Sequence, residues 1–328
     1  MHVLITGGAG FIGSHLAGHH LAQGDQVYVV DNLSTGSLSN LATFRGHPDF
    51  RFAEAGILNW DGLDQAVAWA DRIYHMAAVV GVEKMLEDTV AAMTALNGTQ
   101  RILRAIENGG WNPQVIIGST SEVYGFSGKD TLSETDPIVL PAAGRLRWAY
   151  AAARLADEFL ALSAAHKHKL NIVVARLFNT IGPNQLGHNG MVVPRFVRQA
   201  VQNAPLTVYG EGRQTRSFCD VRDTIVALDL LAACPAAWGE VVNVGNDQEI
   251  SIRDLAELIV QRSHSTSPLH FVAYRDACGE EFDDIPHRRP ALNRLKALTG
   301  FMPEWGLRDT LDDLIVSERE RAKNRHAA

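Results

Sequence analysis

The chain has 328 residues, 46% of them apolar and 20% charged, and 37 acidic residues against 30 basic ones give a formal charge of −7. This is the balance of a folded globular chain with a sizeable core, and it excludes disordered, collagen-like and coiled-coil chains. Mild acidity argues against nucleic acid as a bulk partner, no apolar run approaches the ~20 residues that span a bilayer, and the opening Met1-His2-Val3-Leu4-Ile5-Thr6 lacks the basic-then-apolar order of a signal peptide.

In chain order, residues 2–5 predict a short strand, 11–22 a helix ending near Gly24, and 26–30 a second strand ending at Asp31. Arg51 and Phe52 predict a third strand, 63–70 a helix and 73–75 a fourth strand. A long helix is expected over 89–108, a strand over 114–117, a second long helix over 148–166 and a strand over 171–175. Strands alternating with helices predict an α/β fold, a doubly wound parallel sheet covered on both faces. After Phe178 the pattern breaks. Residues 179–190 are rich in Gly, Asn and Pro, and shorter helices and strands follow over 193–203, 206–209, 221–233, 241–244 and 252–262. The expected division is 1–178 and 179–328, with segments near 219–245 returning to the first part and a charged helix end over 317–326. Cys219, Cys234 and Cys278 show no CxxC spacing, which fits a reducing, cytoplasmic setting and neither a disulfide framework nor a zinc site.

The first turn carries chemistry. Gly7, Gly10 and Gly13 form a GxxGxxG pattern between a strand and a helix that opens at Phe11 and Ile12. Glycine permits the tight turn, and the missing Cβ lets a pyrophosphate approach backbone N–H groups at the positive end of the helix. Asp31 closes the next strand, where a carboxylate accepts the ribose hydroxyls of NAD and repels a 2′-phosphate. The unit predicts a Rossmann dinucleotide site for NAD.

Four further segments extend the pattern: His75-Met76-Ala77-Ala78, Ser119-Thr120-Ser121-Glu122-Val123-Tyr124-Gly125, Tyr150-Ala151-Ala152-Ala153-Arg154, and Arg176-Leu177-Phe178-Asn179 running into Gly182-Pro183. Together with the glycine turn they resemble the extended short-chain dehydrogenase/reductases, the nucleotide-sugar epimerases, dehydratases and decarboxylases. The likeness runs through residues 210–218 to the C-terminal helices. The Thr120-Ser121-Glu122 triplet is most similar to UDP-glucuronate decarboxylases, the UDP-xylose synthases and the decarboxylase of aminoarabinose synthesis, and residues 218–223 and the Arg147-Trp148 context resemble the latter. Dehydratases of this family carry an aspartate where Ser121 stands, and simple 4-epimerases usually lack the glutamate.

The resemblance implies a mechanism and residues for it. Tyr150 would take the C4 hydroxyl proton, Thr120 would bond the same oxygen, and Arg154 would lower the tyrosine pKa from the place where relatives carry lysine. Once C4 is a ketone, a C5 carboxylate is a β-keto acid and can leave as CO2. Glu122, with Ser121 beside it, would serve protonation at C5. NAD contacts would come from Gly7, Gly10, Phe11, Ile12, Gly13, Asp31, Asn32, Ala77, Tyr150 and Arg154, and substrate contacts from Asn179, Tyr209, Arg216 and Arg289. Gly56 and Ala291 stand where relatives often have aspartate. The resemblance also implies a homodimer through the helices near 89–108 and 148–166. Two rival readings remain: a 4-epimerase or 4,6-dehydratase, and a non-catalytic NAD or nucleotide-sugar binding protein. Tyr124 reads as a packing residue. His15 and His19 are expected on an exposed helix face, and His166-Lys167-His168-Lys169 at a solvated helix end.

Overall fold

Along each inner strand, successive apolar side chains point to opposite faces, as the two-residue period of an extended chain requires. Val3, Ile5, Val27, Val29, Tyr74, Ile116 and Val173 form one core. Leu4, Val30, Ile73, Val115, Ile117, Ile172 and Val174 form the other. Strands apolar on both faces belong in a parallel sheet covered by helices on each side.

The computed structural model describes residues 1–77, 96–143, 145, 148–185, 191–278 and 285–327. Its first part runs β1 (His2–Thr6), α1 (Phe11–Ala22), β2 (Gln26–Asp31), β3 (Phe50–Glu54), α2 (Leu63–Trp69), β4 (Arg72–His75), α3 (Leu96–Gly109), β5 (Gln114–Thr120), β6 (Thr131–Leu132), α4 (Ala149–His168) and β7 (Ile172–Leu177). There follow β8 (Thr180–Ile181), α5 (Val192–Val201), β9 (Leu206–Tyr209), β10 (Thr215–Ser217), β11 (Cys219–Asp220), α6 (Val221–Ala232), β12 (Val241–Val244), β13 (Glu249–Ser251) and α7 (Ile252–Ser263). The chain closes with β14 (Leu269–Val272), α8 (Tyr274–Cys278), β15 (Arg289–Pro290), α9 (Asn293–Thr299) and α10 (Leu307–Ala327).

The central sheet has seven strands in the order β3-β2-β1-β4-β5-β7-β12. Every neighbouring pair in it is parallel. Strand order reverses between β1 and β4, whose ends meet at Thr6 and His75. Such a reversal opens a crevice at the carboxyl ends of the strands, where ligands of open α/β sheets bind. Helices α1 and α6 cover one face, contributing Leu16, Ile225, Leu228 and Leu231. Helices α2, α3 and α4 cover the other through Leu63, Ile102, Ile106 and Ala161. A separate core joins α5, α7 and α10 with β9 and β14 through Phe196, Leu206, Leu255, Ile259 and Leu311. This is the expected doubly wound α/β architecture with a smaller C-terminal region.

Several details differ from expectation. The 171–175 strand extends to Leu177. Residues 89–95 of the expected 89–108 helix lie outside the described residues, as do Ala78, Arg147 and 186–190 of the Gly-rich stretch. Helix α4 runs to His168 and stops at Lys169 in the left-handed region (φ 56°). His15 and His19 are not on an exposed face. His15 Nε2 lies 2.8 Å from the Pro183 carbonyl and His19 Nε2 3.5 Å from the Asp229 carboxylate, because α1 packs against α6 and the loop after β8. Burial pushes the His15 pKa down. No described helix is long and apolar enough to cross a membrane.

Candidate active site

The crevice between β1 and β4 is made of backbone. Gly7 has φ +70°, and a Cβ there would lie 2.7 Å from the Ala77 nitrogen. A Cβ on Gly13 would lie 2.3 Å from the Gly7 carbonyl oxygen, so α1 can pack against the turn only with hydrogen at that position. At Gly10, which precedes the first helical residue Phe11, the same test gives 3.1 Å. Ile12 follows in the first turn. The Asp31 carboxylate, 8% exposed, is braced at this turn. It accepts from Ala9 N at 3.0 Å and from Leu33 N at 2.8 Å. Burial pushes its pKa up, against the pull of those N–H groups. Asn32 is exposed beside it, and its Oδ1 accepts from Ser34 N at 3.1 Å. A Cβ on Gly56 would come no closer than 3.9 Å to Asn32, so the glycine there answers no steric demand.

The strand β5 ends in a short 3-10 turn over Ser121–Tyr124. Thr120 caps it, its Oγ1 accepting from Glu122 N at 3.2 Å, and Ser121 is buried. The turn rests on a buried polar floor. Ser119 Oγ donates to Glu158 at 2.5 Å, and Glu158 takes two nitrogens of Arg176, Nε at 3.0 Å and Nη2 at 2.7 Å. The Arg176 guanidinium lies 4.6 Å from the Tyr124 ring centre, and the Tyr124 hydroxyl donates to Asn243 at 2.7 Å. Tyr124 is thus a buried packing residue. Bidentate arginine–carboxylate pairing gives such a floor its fixed geometry.

Tyr150 is the second residue of α4 and Arg154 lies one turn on, its guanidinium carbon 5.8 Å from the tyrosine ring centre. Burial pushes the Tyr150 hydroxyl pKa up. Arg154 pulls it down, while the charges of Glu122 and Asp157 push it up. Arg154 donates to Asp157 Oδ2 at 2.9 Å and reaches Ala77 O at 3.4 Å, so it touches the backbone that closes the glycine crevice.

Glu122 is met from the far end of the chain. Arg288 Nη1 donates to Glu122 Oε1 at 3.3 Å, and Arg288 Nη2 donates to Asn179 Oδ1 at 3.1 Å. Asn179 is held in turn, at φ 30°, with its Nδ2 donating to Ser217 O at 2.9 Å. Arg216 sits on β10, where its Nη1 donates to the carbonyls of Thr215 and Ile285 at 2.7 and 2.8 Å. Arg289 faces away from Glu122, donating through Nε to Thr131 Oγ1 at 2.9 Å, with Glu249 at 3.6 Å. Tyr209 ends β9 with its ring centre 4.2 Å from the Arg195 guanidinium. The structure thus joins Glu122, Asn179 and Arg288, and it joins Tyr150, Arg154 and Ala77; it keeps Arg289 and Tyr209 on other partners. Arg288 is the residue that sequence reading missed. Successive residues of an extended segment face opposite ways, so Arg288 and Arg289 of the His287-Arg288-Arg289-Pro290 run meet different partners.

A phenol near a guanidinium, a carboxylate on an arginine and a glycine crevice suit proton transfer beside a bound anionic ligand. Comparisons with known proteins agree in fold and sequence. The family model described as the NAD dependent epimerase/dehydratase family matches residues 3–245. A UDP-N-acetyl-alpha-D-glucosaminuronate decarboxylase of Bacillus cytotoxicus is 36% identical over 94% of this chain and 96% of its own. UDP-glucuronic acid decarboxylase 1 of Xenopus tropicalis is 32% identical over 99% of this chain and 74% of its own. Among solved structures, the UDP-glucuronic acid 4-epimerase of Bacillus cereus, in complex with UDP-glucuronic acid and NAD, superposes with a TM-score of 0.87 at 26% identity, covering 98% of this chain and 100% of that one. The dTDP-glucose 4,6-dehydratase DesIV of Streptomyces venezuelae does so at 0.87 and 26%, covering 98% of each chain. The chain belongs to the NAD dependent epimerase/dehydratase family.

Proposed function

We propose that this protein is an NAD-dependent decarboxylase of a UDP-linked uronic acid, with UDP-glucuronate as the first substrate to test and UDP-xylose or a UDP-4-keto-pentose as product. The carrying observation is Glu122 in the turn after β5 paired with Arg288, with Asn179 on the same guanidinium. An epimerase needs only oxidation and rotation at C4. An arginine paired with a glutamate supplies what a departing carboxylate also needs, a cation for its charge and a carboxylate that can hold a proton-delivering water.

The residues present fit NAD. Gly7 and Gly13 let the turn close against Ala77 and the start of α1, which brings the backbone N–H groups of the helix N-terminus to the crevice, and Asp31 sits against the same turn. Gly7, Gly10, Phe11, Ile12, Gly13 and Ala77 would hold the pyrophosphate side, and Asp31 and Asn32 the ribose. When bound, NAD supplies the hydride acceptor for C4. The protein's own groups do the rest. Tyr150 removes the C4 hydroxyl proton with Arg154 stabilising its anion, and Thr120 holds the oxygen. With C4 a ketone, the C5–C6 bond breaks, CO2 leaves, and its electron pair passes to the C4 oxygen as an enolate, which Tyr150 and Thr120 stabilise. Arg288 orients the carboxylate, and Glu122 directs a proton from a held water to C5; the UDP-4-keto-pentose then leaves as product, or, for UDP-xylose, the hydride returns to C4 and Tyr150 returns its proton to the C4 oxygen. Ser121, buried beneath the turn, shapes it. Asn179, Arg216, Arg289 and Tyr209 are the groups assigned to the nucleotide diphosphate, Arg289 and Tyr209 from their places beside Thr131 and Arg195. The 36% identity to a decarboxylase of the 2-acetamido sugar supports a second substrate, UDP-N-acetylglucosaminuronate.

A homodimer through α3 and α4 is part of this reading. Phe159 is 68% exposed and Leu160 36% exposed on α4. The odd cysteine count supports a cytoplasmic setting. The test incubates the purified protein and NAD+ with each UDP-uronate, read by mass spectrometry and proton NMR. A product lighter by one CO2 is expected. An isomer of equal mass would replace this reading with the epimerase. Loss of water from a UDP- or dTDP-hexose would replace it with the dehydratase, and retention of NAD+ without turnover of any nucleotide sugar with the binding protein.

A further inference from the structure

Arg154 and Asp157 are buried together on α4, at 2% and 1% exposure. Arg154 Nη1 donates to Asp157 Oδ2 at 2.9 Å and reaches Gly118 O at 3.5 Å, while Nη2 reaches Ala77 O at 3.4 Å. One guanidinium therefore spans a carboxylate on α4, the carbonyl edge of β5 and the carbonyl that follows β4. Asp157 Oδ1 makes no hydrogen bond of good geometry, nor does the Thr99 hydroxyl beside it. A buried ion pair adds little to stability, because desolvating two charges costs about what their attraction returns. This pair does fix an orientation: it holds the guanidinium carbon 5.8 Å from the Tyr150 ring.

We propose that Asp157 is a positioning residue that makes arginine usable at position 154. Its carboxylate anchors one arm of the planar fork, so the other can reach the backbone of the crevice and the positive charge stays at a set distance from Tyr150. The inference rests on Tyr150 being the base of the proposed reaction. A lysine at 154 has a compact ammonium on a flexible stem. It would pair with Asp157 across one turn and leave the two carbonyls. Positions 154 and 157 then form one unit that can be changed together but not singly. The charged groups facing Tyr150 are Arg154 and Asp157 from its own helix and Glu122 from the turn after β5. Those facing the pair are His75 of β4 and Glu158 of α4. His75 is kept neutral by burial, and Glu158 is locked by Arg176.

The experiment compares R154K, D157A, D157N and the double variant R154K/D157A in the full-length protein. Each of R154K and D157A should lower kcat/KM by about 30-fold or more, and the double variant should recover at least about tenfold over R154K, a coupling within the range measured for contacting residues. Asp157→Asn keeps the shape and the acceptor oxygen but removes the charge, so the acid limb of the kcat/KM profile should move down by about one pH unit. A merely structural aspartate would change thermal stability and leave that limb in place. Ultraviolet titration of tyrosinate without substrate, with Tyr150→Phe as the blank, should show the same downward shift. Additive losses, or a D157N limb and tyrosinate midpoint superimposed on the wild type, would overturn the proposal. If the wild type turns over no UDP-uronate, the functional reading fails, and the tyrosinate titration still decides the coupling.

Discussion

The two sides of the candidate site are built by different means. The crevice at Gly7, Gly10 and Gly13 is backbone against backbone, set by one local strand–turn–helix unit and by missing Cβ atoms, and is closed by Ala77 after β4. The side around Glu122 is made of side chains from the turn after β5, the second residue after β7 and the segment entering β15. The first is specified within about thirty residues of chain. The second exists only when residues 122, 179 and 288 have been brought together. A local backbone site tolerates almost no added volume. A site of converging side chains tolerates volume but loses function with a single charge.

Substitutions can break each side separately. Arg288→Ala removes the cation on Glu122 and should lower kcat by about 10²–10³-fold, the cost of removing one preorganised donor, with NAD+ binding unchanged. Parallel kcat and NAD+ binding assays check it. Equal weakening of NAD+ binding would mean that the two sides are not separable. Gly13→Ala should do the reverse. Its Cβ would lie 2.3 Å from Gly7 O, so α1 must shift, and NAD+ binding measured by calorimetry should weaken about a hundredfold, near 2.7 kcal/mol. Gly24→Ala is the control: its φ is +79° with nothing within 4 Å, so it should cost about 1 kcal/mol of stability and no NAD+ affinity.

A further effect, on the pH dependence of stability, concerns His75, whose ring lies under the crevice with Nδ1 2.7 Å from Thr6 Oγ1. Burial, assisted by the nearby Arg154 charge, lowers its pKa from 6.5 to about 3. The unfolded chain therefore binds a proton that the folded one refuses. This contribution to stability is complete above pH 6.5 and is lost as pH falls toward about 3. Denaturant unfolding at pH 7 and pH 4.5 should differ by about 2 kcal/mol more in the wild type than in His75→Gln. Equal differences would show that the buried imidazole does not set the acid slope.

Much of this was legible in the sequence, and the limit was physical. The α1 boundaries, the ends of β1 and β2 and the position of Asp31 follow from local rules of period, glycine and helix length, and they lie where those rules put them. The packing role of Tyr124 was also legible. Arg288 was not, because its partner lies 166 residues away and no local rule reports such a meeting. The histidines of α1 were misjudged for the same reason. Their surroundings come from α6 and the loop after β8, not from their own helix. Asp157 was not legible because a carboxylate between Arg154 and Glu158 on a helix reads as surface charge, yet it is 1% exposed.

The segment that carries Arg288 is stitched across the molecule. Pro286 O accepts from Thr215 N at 2.9 Å, Arg288 O accepts from Ser217 Oγ at 3.2 Å, and Ala291 N donates to Leu132 O at 2.8 Å. During translation this strap emerges among the last elements, after β1 to β7 have left the ribosome. Domains form from the N-terminus as they are made. A nascent chain thus completes the Gly7–Asp31 crevice before the partner of Glu122 has been synthesised. The dinucleotide crevice therefore precedes the full constellation, which waits until the segment carrying Arg288 has been made.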